Sequence, residues 1–285
     1  MKIVRTGTEE TVRRNRTGEV EYLTFPSLSS TGMVEHLFTT RSGGVSKGIF
    51  ATMNMSFTRG DEKDAVDENY RRIAKILHCG VRDFVLSHQT HTTNVRTVTR
   101  MDAGKGIVRE RDYEDVDGLI TNVSGVVLVT FYADCVPLYF VDPVQRAIGL
   151  SHSGWKGTVA KMGAVTVKRM QEVYGSNPAD IVAAIGPSIC QSCYEVSADV
   201  IEQFKGSFPE SRVQQKLFYK KENGKYQLNL WEANRMVLTE AGIPESNIST
   251  TDICTCCNPE YLFSHRASHG KRGNLAAFLG IKPGI

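Results

Sequence analysis

Between Val126 and His152 the chain threads three short apolar runs in quick succession, Val126 to Tyr132, Pro137 to Val141 and Ala147 to His152. Runs this short, rich in β-branched residues and bounded by turn formers, read as strands buried on both faces. Asp134 and Pro137 interrupt the longest apolar stretch well before the about 20 residues needed to cross a bilayer, so it is not a membrane span. Such strands need cover on both sides of a sheet, and the rest of the chain supplies it. Val66, Tyr70, Ile73, Ala74 and Leu77 recur at helical spacing and predict an amphipathic helix from Glu62 to His78. Val159, Met162, Val165, Val167 and Met170 predict another over Gly157 to Tyr174. Ser197 is placed to cap a third that reaches Phe208, and a fourth is expected from Trp231 to Ala241. Further strands are expected at Val34 to Thr40, Phe84 to Ser87, Val95 to Val98, Gly118 to Thr121 and Ile181 to Ile185. No internal repeat, low-complexity tract or long linker divides the sequence. The expectation is one α/β (α+β) domain over residues 1–285, with central mixed β-sheets covered by helices.

Lys and Arg total 34 against 31 Asp and Glu, a net charge of +3 with no long block of one sign. That distribution lacks the basic footprint of a nucleic-acid binder. Arg13-Arg14-Asn15-Arg16 is short and reads as solvated surface. The N-terminal Met1 to Gly7 runs into Glu9-Glu10 and arginines before an apolar segment forms, so no secretory signal is expected. Seven cysteines at irregular spacing in 285 residues suit reduced thiols in a cytoplasm.

Cys135 and His152 stand where apolar strands run out, and strand ends feeding loops are where open sheets build sites. Taken alone, Cys135 is adequately explained as a small hydrophobe. Asp134 beside it is a charge at a strand end that needs a partner, and Gly154 and Gly157 after His152 allow the backbone close to a ligand. Ser87-His88-Gln89-Thr90-His91 offers a second imidazole, and spacing does not choose between His88 and His91. One thiolate and two imidazoles suit Zn²⁺ or copper, and three protein ligands leave a position open for substrate. Arg41, ahead of Gly43-Gly44, has the composition of an anion-binding turn or of a plain hairpin with a surface arginine. Arg266, with Lys271 and Arg272, is a second anion candidate or a solvated basic loop. Cys190 and Cys193, with Cys254 and Cys257, have the spacing of a four-thiolate zinc site; neither pair reads as a short knuckle bounded by turns, which favours plain buried thiols.

The segments Phe38 to Ser46, Gln89-Thr90-His91, Asp117 to Thr121, Ala133-Asp134-Cys135-Val136-Pro137, Ser151 to Gly157, Ile185 to Ile189 and Phe263-Ser264-His265-Arg266 resemble, in order, those of the YfiH/YlmD family. That resemblance spans about 38 to 275 and implies a single YfiH-like domain, a fold shared with bacterial toxin deamidases. It implies metal ligands at His91, Cys135 and His152 and places Arg41 in the active-site region; Asp134 is a catalytic candidate whose role is open between orienting a ligand and proton transfer. The family has been catalogued as multicopper polyphenol oxidase or laccase, and its later assigned activity is phosphorolysis of purine nucleosides with adenosine deamination. A trinuclear copper cluster beside a blue-copper site asks for about ten imidazoles; the chain has 7 histidines and no His-x-His pair. The expectation is therefore a zinc enzyme, with copper as the alternative ion. It converts adenosine, inosine, guanosine or S-methyl-5′-thioadenosine with phosphate to free base and ribose 1-phosphate, and deaminates adenosine. Two alternatives remain: a laccase-like polyphenol oxidase, and a metal-free Cys135–His152 thiol hydrolase or deamidase. The expected partners are nucleosides and phosphate, without nucleic acid or membrane, for a cytoplasmic monomer or homodimer.

Overall fold

In the strand Val127–Tyr132, Leu128 and Tyr132 face one apolar cluster while Val127 and Val129 face another. The same alternation repeats in Val136–Asp142, where Tyr139 and Val141 look one way and Leu138 and Phe140 the other. These strands belong to different sheets, and their shared cluster is the filling between them. The computed structural model describes residues 2–7 and 10–284; Met1 and Ile285 of the expected domain, and Glu9 of the N-terminal segment, lie outside the described residues.

The first sheet has six strands in the order Arg13–Thr17, Val20–Thr24, Val34–Thr39, Leu275–Ile281, Val127–Tyr132 and Phe84–Leu86. The second also has six, in the order Ile248–Thr250, Val182–Ile185, Val136–Asp142, Ala147–Ser153, Gly118–Thr121 and Val95–Thr97. Both are mixed: Phe84–Leu86, Ile248–Thr250 and Val95–Thr97 pair in parallel with their neighbours, and the remaining pairs are antiparallel. A small third sheet joins Glu195–Val196, Tyr226–Leu228 and Phe218–Lys220.

The helix Lys63–Ile76 covers the outer face of the first sheet through Val66, Tyr70, Ile73 and Ala74. Met162–Tyr174, Ala198–Ser207 and Leu230–Glu240 cover the outer face of the second through Met170, Phe204 and Val237. The result is the mixed α/β layering that strands buried on both faces demand. No helix among the described residues is long and apolar enough to cross a membrane.

Among the elements that differ from the sequence expectation, three bear most on the architecture. The helix expected over Gly157 to Tyr174 is two helices, Trp155–Val159 and Met162–Tyr174, separated at Lys161 by a left-handed φ of 59°. The second lies along Ala147–Ser153, and both pack on Leu230–Glu240. Leu275–Ile281, unassigned from sequence, is central to the first sheet, antiparallel to both Val34–Thr39 and Val127–Tyr132. The basic N-terminal stretch is solvated as expected, yet it is also a strand, where charge on an exposed edge deters further pairing.

Candidate active site

The chain leaves the first sheet at Tyr132 and enters the second at Val136, so Ala133-Asp134-Cys135 is the corner between the two layers. Asp134 turns that corner with φ 90°, a conformation Asp tolerates better than most residues. His152 lies directly across from Pro137 near the end of its strand, which brings it beside Cys135. The third group arrives from the loop after Phe84–Leu86. There Gln89 acts like one more strand residue: its Oε1 accepts the Phe131 N–H at 2.6 Å and its Nε2 donates to the Phe131 carbonyl at 2.8 Å. This clamp sets the neighbouring His91 over the corner.

His91, Cys135 and His152 bring ligand atoms within 4.8 Å of one another. Cys135 Sγ lies 4.0 Å from His91 Nε2, and the two imidazoles meet edge to face at 5.0 Å between centroids. His88 lines the adjoining cavity but stays outside this group, its Nδ1 accepting the Asp115 N–H at 3.2 Å. A Cβ at Gly154 would stand 3.0 Å from His91 Cδ2 and 3.1 Å from Cys135 Sγ. Glycine is what lets the chain pass behind the cluster.

Asp117, fully buried, organises this cluster. Its Oδ1 meets His152 Nδ1 at 2.8 Å and accepts the His91 N–H at 3.1 Å; its Oδ2 accepts the Thr90 and Thr92 N–H groups at 3.0 and 2.9 Å. Burial would raise its carboxyl, but His152 and these amides outweigh that and hold it low. Burial likewise opposes charge on the other two groups. Even so, the positive charge and hydrogen bond of His152, with a hydrogen bond from His91, draw the Cys135 thiol down to about 6. The Cys135 charge and the Asp117 hydrogen bond push His152 up to about 9. The groups thus favour a thiolate, which is the form that ligates metal or attacks carbon. Asp117 stood in a quoted motif without a role; a lone carboxylate opening an apolar strand was the signal.

A cavity of about 350 Å³ opens beside the three groups, and Arg59, Arg111 and Arg272 also line it. Arg272 is drawn down to about 10 by burial and by the charge of Arg59, and its buried Nε has no hydrogen-bond partner among the described residues. Neither Arg41 nor Arg266 lines this cavity. Arg41 Nε donates to the Ala51 carbonyl at 3.0 Å and its Nη1 to Pro259 at 2.5 Å, while the guanidinium covers the Phe263 ring. Arg266 donates to the carbonyls of Cys193 and Glu195 at 3.3 and 2.9 Å. Asp134 also faces away from the cavity, its carboxylate accepting the Thr255 hydroxyl and the Arg266 N–H at 2.7 Å each. These three residues brace loops around the site.

The family model described as multi-copper polyphenol oxidoreductase laccase matches residues 35–282. A purine nucleoside phosphorylase, YlmD, of Bacillus subtilis (strain 168) is 39% identical over 249 residues, covering 86% of this chain and 87% of that protein. An adenosine deaminase, RL5, from an unknown prokaryotic organism is 33% identical over 249 residues, covering 87% of this chain and 93% of that protein. The crystal structure of Bacillus licheniformis hypothetical protein YfiH superposes with a TM-score of 0.88 at 36% identity, covering 94% of this chain and 99% of that one.

Proposed function

Since the chain belongs to the YfiH/YlmD family, we propose that it is a zinc-dependent purine nucleoside phosphorylase that also deaminates adenosine, acting in the cytoplasm as a single-domain monomer or homodimer. The observation that carries this reading is the convergence of His91, Cys135 and His152 on a cavity walled by Arg59, Arg111 and Arg272. One sulfur and two nitrogens leave an open position on a tetrahedral ion, the donor set of a catalytic zinc site. Zinc bound there supplies Lewis acidity. Asp117 fixes the His152 tautomer, so that Nε2 faces the cluster. Arg59 and Arg272, both on the cavity wall, hold phosphate. In phosphorolysis a phosphate oxygen bonds to the ribose carbon as the glycosidic bond breaks, and the base leaves with the bonding electrons and takes a proton. Adenosine, inosine, guanosine and S-methyl-5′-thioadenosine share that bond and are the proposed substrates.

The histidines favour one metal over a multicopper centre. Among the described residues they join in one ligating group only, and His36 is buried against Phe25 instead. Oxidation of polyphenols is therefore the weaker reading. The chain Cys135, His152, Asp117 favours a second reading, a thiol hydrolase or deamidase with Asp117 as orienting group. Chromatography of adenosine incubated with and without phosphate separates them: phosphate-dependent release of adenine marks the phosphorylase, whereas inosine forms under either reading. His91→Ala, Cys135→Ala and His152→Ala are each expected to abolish phosphorolysis. Intact phosphorolysis in these variants overturns the site assignment, and full activity in metal-free protein favours the thiol.

A further inference from the structure

Four of the remaining cysteines converge at a second place. Cys190 precedes the tight turn Gln191–Cys193, and Cys254 to Cys257 wraps a turn of its own. A parallel bridge between Ser188 and Cys254 lays the two turns side by side, so each Cys-x-x-Cys pair does sit on a turn. All four sulfurs lie within 4.8 Å of one another, Cys257 Sγ being 3.4 Å from Cys193 Sγ and 3.9 Å from Cys190 Sγ. Zinc–sulfur bonds of about 2.3 Å in a tetrahedron set sulfurs about 3.8 Å apart, while a disulfide draws two of them to about 2.05 Å. The cluster has the spread of the former. The N–H groups of Cys190 and Cys257 donate to Cys254 Sγ at 3.2 and 3.4 Å, so backbone donors already point at one of the four sulfurs.

We propose that Cys190, Cys193, Cys254 and Cys257 hold a structural Zn²⁺, distinct from the group at His91, Cys135 and His152. Four protein ligands leave no open position, so this ion performs no chemistry. It clips together loops that brace the active-site corner. The Cys193 carbonyl accepts from Arg266, whose own N–H donates to Asp134, and Thr255, between Cys254 and Cys257, donates to the other Asp134 oxygen. Cys135 is the next residue.

The test is zinc per chain, by elemental mass spectrometry, on full-length protein purified without chelator. The Cys135→Ala/His152→Ala variant is expected to retain one zinc per chain, and Cys193→Ser/Cys257→Ser to hold one fewer than the unsubstituted protein. The first variant leaves the four-thiolate cluster whole, so its count decides the matter even if the second fails to fold, and it does so whatever the cavity binds. Cobalt loaded into it in place of zinc is expected to show thiolate-to-cobalt charge-transfer absorption. A Cys135→Ala/His152→Ala protein without zinc overturns the proposal. So does a non-reduced denatured mass lighter by the hydrogens of two disulfides.

Discussion

At the scale of single residues, the site depends on a buried carboxylate that does not line the cavity. Asp117 accepts from three successive backbone N–H groups and from His152, so one buried side chain sets both the loop carrying His91 and the ring of His152. Asp117→Asn keeps the volume but turns an NH₂ group towards some of those donors. Zinc affinity at the cavity site is expected to fall about 10- to 100-fold, read by chelator competition, because the outer partner of a ligating histidine fixes its tautomer and basicity. A melting temperature that drops while affinity holds contradicts this, since a purely structural role moves only the former. Cys135 and His152 were legible from sequence because apolar strands visibly end there. Selection of His91 over His88 needed the family motif: His91 has φ 67°, a left-handed conformation that no periodicity reports. Arg41 and Arg266 show the opposite problem. An arginine beside glycines reads as an anion site, yet backbone carbonyls left unpaired by irregular loops compete for the same guanidinium.

At the scale of elements, strands buried on both faces were legible because their apolar runs are continuous and β-branched. Leu275–Ile281 escaped because it carries Ala276, Ala277 and Gly280 where neighbouring strands have larger groups, and its place depends on pairing with segments far away in sequence. Its neighbour Val34–Thr39 contains an element-level device, His36. This ring is 5% exposed, and its Nε2 accepts the Phe25 N–H at 2.8 Å, so it is built in as the neutral form. Burial draws it down to about 4, from 6.5 in the unfolded chain. Between those values the unfolded state binds the extra proton, so stability is complete above 6.5 and is lost as pH falls towards 4. Going from about pH 7.5 to about pH 4.5 should cost about 3 kcal/mol through this group. Urea unfolding at both pH values checks it: His36→Gln is expected to be less stable at the higher pH and to have a visibly shallower pH dependence. An unchanged slope removes His36 as the cause.

At the scale of the whole molecule, the site sits on the seam of the sandwich, and Asp134 joins that seam to loops 121 and 132 residues further along the chain. Sequence left Asp134 open between proton transfer and orientation, and the geometry favours a brace. Both carboxylate oxygens accept hydrogen bonds from Thr255 and Arg266, and the residue is 8% exposed. Removing it leaves the buried Thr255 hydroxyl unpaired at about 1–3 kcal/mol and the half-buried Arg266 N–H at about 1 kcal/mol, and a non-glycine residue without a local polar group pays about 1 kcal/mol more at φ 90°. Asp134→Ala is therefore expected to lower stability by about 3–5 kcal/mol. Asp134→Asn, which keeps one acceptor and tolerates the backbone, should lose about 1–2 kcal/mol. Thr255→Val leaves the buried Asp134 Oδ1 without its donor and should cost about 1–3 kcal/mol, with a smaller effect when combined with Asp134→Ala, because neighbours sharing one hydrogen bond do not add. Turnover separates the two roles. A brace predicts that kcat across Asp134→Asn, Asp134→Ala and Thr255→Val falls in step with stability, with Asp134→Asn retaining most of it. A proton-transfer residue predicts that Asp134→Asn is inactive at nearly normal stability, and that result would return Asp134 to the chemistry and leave the loops to be held by the zinc clip alone.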